Sequence, residues 1–397
     1  MKDASQKKKV IITGGGSGGH TVTALSVVDE LQCMDAGSVD RILYVGGKRG
    51  MEGEKNAVSV EERMVSAKKI PYIGIRSGKL QRKFALSTLI GLFGVFGGLV
   101  DSLKIFTKYD VSYVFSSGGY VSVPVCIAAW LKKVPVTIHE QTTRVGLSNK
   151  LSSLFAEKIL IGYEESKEFF SPRKTVFVGN TIRKELFDED FDDIELKKKL
   201  ERFAHRSKEY PVVMIAGGGQ GSHVINTIVK IGLVSLVSHF QIIILTGDNK
   251  VKKDFDSLER AVHKLPKDHQ DRVILMKFAT AQEMGSLYRA AEIYVGRSGA
   301  MSTYELGVMN LPAVLVPIPW VTRNEQYYNA KVLEDVGLAK IVAEGVLSPE
   351  ILFREVRSMA TKIRGGNLRV DEKSRSRVFI VHAAKKIADI LESKHGV

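Results

Sequence analysis

Short apolar runs alternate with stretches of helical periodicity along this chain, and glycines mark many of the joins. In the first half Lys9 to Thr13, Arg41 to Val45, Val111 to Phe115, Val134 to Ile138, Lys158 to Ile161 and Val176 to Val178 read as strands. In the second half Val212 to Ile215, Gln241 to Leu245, Val273 to Met276, Ile293 to Val295 and Ala313 to Val316, closed by Pro317, do the same. Runs this short and apolar, each followed by helical periodicity, predict buried parallel strands with helices on both faces. The pattern also repeats. Ile12 to His20 (ITGGGSGGH) lines up with Ile215 to His223 (IAGGGQGSH), and each copy follows an apolar strand and opens a helix. The copies lie about half a chain apart, which predicts two Rossmann-like domains.

Length agrees: 397 residues are too many for one ordinary core, and 44% hydrophobic residues suffice for two. The only cysteines, Cys33 and Cys126, sit in apolar stretches, so neither a disulfide framework nor a metal-ligand spacing exists and a reducing compartment is expected. The N-terminus lacks an apolar segment before the first strand and does not read as a signal peptide. Lys and Arg exceed Asp and Glu by 14, with a pI near 9.5. That excess suits nucleic acid, an anionic membrane or phosphorylated substrates. No nucleic-acid-binding signature accompanies it, so membrane and phosphate are favoured and no nucleic acid partner is expected.

The glycine loops carry the first candidate chemistry. Gly14 to His20, including Ser17, Gly18 and Gly19, would let backbone N–H groups approach a phosphate beside a helix N-terminus. The loop fits G-x-G-x-x-G, a weak signal by itself. A nicotinamide-binding fold would want an acidic residue after the second strand, where this chain has Gly46-Gly47-Lys48. A richer stretch is Arg297 to Ala330. Ser298, Gly299 and Ala300 expose backbone donors where a helix begins, and the run continues through Met301, Ser302, Thr303 and Tyr304 to Glu305. Glu305 could accept from two vicinal hydroxyls of a ribose. Arg323, Asn324, Glu325 and Gln326 follow the next strand, at the edge where open α/β sheets bind ligands.

This segment, R-S-G-A-x-S/T-x-x-E with L-P-A, V-P and Q-Y-x-N-A after it, resembles the donor site of the MurG family of N-acetylglucosaminyltransferases. Three more blocks share the resemblance: Gly118 to Pro124 (GGYVSVP), His139 to Gln141 (HEQ) and Gly179 to Arg183 (GNTIR). It therefore spans nearly the whole chain. The implied fold is α/β of the GT-B type, two Rossmann-like domains with parallel sheets facing across a cleft. We expect an acceptor and membrane-associating domain over 7–183, a UDP-sugar domain over 184–370, and a last helix, 371–397, crossing back to the first. The implied reaction is inverting transfer of N-acetylglucosamine from its UDP carrier to a lipid-diphosphate-linked muramyl peptide, without a cofactor or metal. Arg183 would reach the donor phosphates, with Gly219, Gln220 and Ala279 on the nucleotide side. Glu325 and Gln326 would meet the sugar hydroxyls, Gln326 distinguishing gluco from galacto configuration. His20 is the candidate general base, since imidazole titrates near the working pH; the alternative is a histidine capping its own helix. His139 is expected to hold its loop through hydrogen bonds. The chain departs from the family at Thr142 (usually asparagine), Gly219 (usually serine) and Glu325 (usually glutamine).

Phe84 to Val100 carries no charge and follows Lys79, Arg82 and Lys83. It is slightly short for a membrane span and holds four glycines, so part is expected to pack on the sheet and part, with Leu92, Phe93 and Phe96, to meet an anionic bilayer. The family is peripheral, at the cytoplasmic face of the cell membrane, and cell-wall or division proteins stay open as further partners. The acidic run Asp188-Glu189-Asp190 falls in a charged linker and reads as a solvated face, not a metal site. Arg375 to Ser393 reads as one basic amphipathic helix. Three other functions stay open at this point: another GT-B glycolipid synthase or a sugar-nucleotide epimerase; a non-catalytic UDP-sugar-binding membrane partner; and, more distantly, a nicotinamide oxidoreductase.

Overall fold

The computed structural model describes residues 8–16, 18–35, 40–48, 59–76, 86–188, 190–249 and 251–395. Ser17, Lys79, Arg82, Lys83 and the side chains of Leu92 and Phe93 lie outside the described residues. The chain forms two compact units, one running to Ile182 and resuming at Ile380, the other spanning Arg183–Phe379.

In the first unit the strands are β1 (Lys9–Thr13), β2 (Ile42–Gly47), β3 (Tyr72–Ile75), β4 (Val111–Ser116), β5 (Val136–Glu140), β6 (Lys158–Ile161) and β7 (Thr175–Phe177). They form one sheet in the order 3-2-1-4-5-6-7, every pair parallel. The alternation along β1 shows why it sits centrally. Val10 and Ile12 face a core with Ala24, Leu25 and Val28 of the helix Gly18–Met34, while Ile11 faces Val125, Cys126 and Ala129 of the helix Ser122–Leu131. Both faces are thus covered, as a parallel sheet requires. The helix Ala383–His395 closes the first of these cores with Ile387, Ala388 and Leu391.

The second unit repeats the plan with β8 (Val212–Ala216), β9 (Gln241–Leu245), β10 (Val273–Met276), β11 (Ile293–Gly296), β12 (Ala313–Leu315) and β13 (Ala339–Ile341). Their order is 10-9-8-11-12-13, again all parallel. In each sheet the strand order reverses beside the first strand, between β1 and β4 and between β8 and β11. Doubly wound sheets open a crevice for ligands there, at the carboxyl ends of the strands. Both glycine loops fall at these switch points.

Three features differ from the sequence reading. Strand β5 extends to Glu140, so His139 and Glu140 stand at the strand end and not in the loop after it. Strands β3 and β13 were not anticipated; they are four and three residues long and lie at sheet edges. The tail expected as one helix is two, Glu372–Val378 and Ala383–His395. The first stays with the second unit: Tyr304 donates its hydroxyl to Val378 O (3.2 Å) and stacks edge-on against the Phe379 ring.

Candidate functional site

The first unit's switch point brings together the loops after β1 and β4. Gly119 makes their close approach possible: its φ is +91°, and a Cβ there would lie 1.8 Å from Gly15 O. Against this hinge stands His20, in the first turn of the helix Gly18–Met34. Its Nδ1 lies 2.9 Å from Ser117 O, and Ser117 Oγ donates back to His20 O at 2.8 Å. A carbonyl can only accept, so Nδ1 carries the proton and Nε2 keeps its lone pair. Gln141 Nε2 donates to the same Ser117 O (2.9 Å) and lies 3.2 Å from His20 Nδ1. Burial lowers the His20 pKa, partly opposed by the bond to Ser117. The side chain is therefore a neutral imidazole in the tautomer that a general base needs.

His139 is fully buried and donates Nε2–H to Gly179 O at 3.0 Å, the loop-holding role expected of it. Burial lowers its pKa to about 4. Glu140 is buried beside it and accepts from Thr142 N (2.9 Å), Thr142 Oγ1 (2.7 Å) and Asn149 Nδ2 (3.0 Å). Burial raises its pKa, with those hydrogen bonds opposing. Thr142, expected at a ligand, turns its hydroxyl to Glu140 and to Arg144 O (2.6 Å), so its single proton is spent inside the loop. In the first glycine loop the N–H of Gly16 donates to the carboxylate of Glu61, a residue only 8% exposed, so that one backbone donor is already occupied. Nothing in the local sequence around Glu61 signals this, because the contact spans 45 positions. Gly18 and Gly19 begin the helix, exposed and half-buried respectively.

In the second unit the loop Gly217 to Ser222 follows β8. Gly221, at φ +74°, is fixed by contact: a Cβ would meet Thr246 O at 1.9 Å. Gly219, by contrast, has nothing within 4 Å of its would-be Cβ, so the serine usual in the family would fit and the fold does not demand glycine. Gly219 and Gln220 are exposed, and Ala279 is half-buried next to the exposed Phe278. Arg297 is a strut: buried, it donates to Val316 O (3.0 Å) and Ser222 Oγ (2.8 Å) and pairs with Glu344, tying the loops after β8, β11 and β12.

The helix Ala300–Val308 starts at Gly299, where no side chain caps it. Uncapped N–H groups at a strand's carboxyl end suit an anion. Ser298 is buried and gives its proton to Gln326 O (2.8 Å). Gln326 accepts Ile318 N–H through Oε1 (3.1 Å), which leaves its amide NH₂ to donate elsewhere. Glu325 is half-buried beside it. Along the run from Ser298 to Glu305 the helix presents one face outward, and the side chains of Thr303 and Tyr304 fall in the interior, each fully buried. Met301 and Ser302 are half-buried. Glu305, one turn in, is 1% exposed. Its carboxylate accepts from Arg183 Nε (3.0 Å) and Nη2 (2.9 and 3.2 Å) and from the Tyr288 hydroxyl (3.1 Å). The sequence reading named Arg183 and Glu305 separately but missed both their pairing and Tyr288. Among the described residues no cluster of His, Cys, Asp or Glu could hold a metal ion. Asp190, in the acidic linker, pairs with Lys197.

The sequence matches the models of one class, the glycosyltransferases of family 28. Its N-terminal domain model matches residues 10–161 and its C-terminal domain model residues 212–391. The chain is 30% identical over 355 residues to the UDP-N-acetylglucosamine–N-acetylmuramyl-(pentapeptide) pyrophosphoryl-undecaprenol N-acetylglucosamine transferase of Clostridium perfringens, covering 89% of this chain and 90% of that one. The crystal structure of Acinetobacter baumannii MurG superposes with a TM-score of 0.68 at 21% identity, covering 98% of this chain and all of that one. A UDP-GlcNAc 2-epimerase from Neisseria meningitidis, bound to UDP-GlcNAc, superposes with a TM-score of 0.65 at 16% identity over 98% and 100% of the two chains, a likeness of fold alone. The chain belongs to the MurG family of glycosyltransferases.

Proposed function

We propose that this protein transfers N-acetylglucosamine from UDP-N-acetylglucosamine to undecaprenyl-diphosphate-linked N-acetylmuramyl-pentapeptide, the step from lipid I to lipid II in peptidoglycan synthesis. The observation that carries the reading is the donor segment in place. The motif from Arg297 to Ala330 stands at the carboxyl ends of β11 and β12, with an uncapped helix start, a buried carboxylate and a half-fixed amide, in a chain of this family. In the first unit, neutral His20 accepts the proton of the acceptor hydroxyl through Nε2 as that oxygen attacks the anomeric carbon. Displacement from the opposite face inverts the configuration and releases UDP. The helix N-terminus at Gly299 and the guanidinium of Arg183 stabilise the charge developing on the departing diphosphate, the role a cation fills elsewhere. On this account the reaction proceeds without a metal ion.

The protein acts at the inner membrane surface as a peripheral enzyme. Among the described residues no helix is long and apolar enough to cross a membrane. Three adjacent helices of the first unit, Leu86–Lys108, Ser122–Leu131 and Leu147–Phe155, leave Phe96, Trp130, Leu131 and Leu154 more than half exposed. Lys104, Lys108, Lys132 and Lys133 are exposed on the same helices and their ends. Apolar side chains with lysines around them suit an anionic lipid surface. The test is transfer of labelled sugar by purified protein to a short-chain muramyl-diphosphate lipid, with and without chelator. Product in both supports the reading. UDP-sugar bound but never transferred would favour a non-catalytic binding protein.

A further inference from the structure

We propose that Arg183 makes ribose recognition conditional on a diphosphate, acting as a specificity-determining residue of the donor site. The inference rests on the donor-site reading above and adds a competition within it. Glu305 is the carboxylate for a ribose, yet its two oxygens already receive four contacts, three from Arg183 and one from Tyr288. A carboxylate offers about four lone-pair directions, so these contacts saturate it. The two donors differ in burial. Tyr288 is 3% exposed, whereas the Arg183 side chain is 22% exposed and is the more solvent-accessible partner of the carboxylate. A ribose that takes hydrogen-bond positions on Glu305 therefore has to displace Arg183 before Tyr288.

That exchange is unfavourable for a nucleoside. Two neutral hydroxyls would replace a guanidinium, whose full charge and planar two-pronged geometry they do not match, and the guanidinium would leave without a partner. A diphosphate changes the balance, because the displaced guanidinium finds phosphate oxygens that it can bridge through two N–H groups. The movement needed is small. Arg183 has an ordinary extended backbone (φ −70°, ψ 128°), so rotation about its side-chain bonds suffices. Tyr288 stays in place and holds the carboxylate in its orientation throughout. Ribose and diphosphate are thus read together: neither half of a nucleoside diphosphate alone completes the exchange.

The experiment is calorimetric titration of the full-length protein with uridine, UMP and UDP, for the natural sequence, Arg183→Ala, Arg183→Lys and Tyr288→Phe. With Arg183 removed, uridine should bind about fivefold tighter, since nothing competes for Glu305, while UDP binds about tenfold weaker. The ratio of UDP to uridine affinity should fall about fiftyfold. Lysine keeps a charge but cannot bridge two oxygens, so Arg183→Lys should lie between, and it carries the test should the alanine variant lose cooperative unfolding. Tyr288→Phe should weaken uridine and UDP by the same factor. A purely structural pair predicts the opposite for the first variant: uridine binding unchanged or weaker, which overturns the proposal. Failure of the natural protein to bind UDP would overturn the donor-site reading itself, a result distinguishable from normal UDP binding with no gain for uridine.

Discussion

Two histidines 119 positions apart in the chain show how burial assigns different work to one side-chain type. His20 and His139 both have lowered pKa values, and burial is the larger cause in each. His139 has no route to function: Nε2–H is spent on Gly179 O, and Nδ1 is buried without a partner among the described residues. Its consequence is for stability. The unfolded chain takes up a proton near the ordinary histidine value of 6.5, whereas the folded protein resists until about 4. Between these values the unfolded state binds more protons, so stability falls as pH falls through that window and is restored above it. The full effect is about 3 kcal/mol, at about 1.4 kcal/mol for each pH unit between the two values. Denaturant titrations from pH 7 to 4 should show it, and His139→Gln should flatten the curve; an equally steep curve in that variant would place the acid sensitivity elsewhere. For His20 the lowered pKa moves the acid limb of activity. Turnover should rise with pH to a plateau, with its midpoint below the ordinary histidine value, and His20→Ala should lose about 10²–10⁴ in kcat while still binding UDP. A variant retaining near-normal turnover would remove His20 from the chemistry. The motif spelling pointed to His20, but the tautomer came only from Ser117 O, 97 positions away.

The elements were legible to the extent that each carries its own pattern. Central strands such as β1, β8 and β9 are buried on both faces, so their apolar runs are nearly continuous and easily read. Edge strands β3 and β13 are partly exposed and short, and Gly74 and Lys340 interrupt them, so no run stands out. The tail was misread for a related reason. Basic residues and apolar spacing continue through Phe379, but Gly307 opens a slot that holds the Phe379 ring: a Cβ there would lie 2.4 Å from it. That anchor ends the first helix before the next begins at Ala383. The second helix then contributes Ile387 and Leu391, both fully buried, to the core under the helix Gly18–Met34. Truncating Leu391 to alanine should cost about 2–5 kcal/mol, from lost burial and the cavity left behind. Thermal unfolding of the variant measures it, and a loss below about 1 kcal/mol would mean that the helix is not part of this core.

At the scale of the whole molecule, charge and exposed apolar surface have to be considered together. An excess of 14 positive charges is what is left after every Asp and Glu is paired, so ion pairs within the chain cannot neutralise it. The first unit carries exposed apolar side chains and exposed lysines on the same three helices. Phe96, Leu131 and Leu154 are 67%, 51% and 69% exposed, so changing them to serine removes little from the folded core, and stability should change by about 0.5 kcal/mol or less at each. This separates docking from folding, which a change at buried positions such as Ile105 or Phe106 would confuse. Each lysine near an anionic surface contributes about 1 kcal/mol through a potential that falls off within a Debye length. The natural protein should therefore float with vesicles containing anionic lipid, and less so as salt is raised. The triple serine variant should remain folded and stay in solution at low salt, and its transfer to a water-soluble short-chain acceptor should be unaffected. Its activity on acceptor embedded in vesicles should drop, because the surface no longer concentrates the enzyme beside the lipid. Equal flotation of the variant and the natural protein, or flotation of either on neutral vesicles to the same extent, would show that these helices do not form the membrane contact.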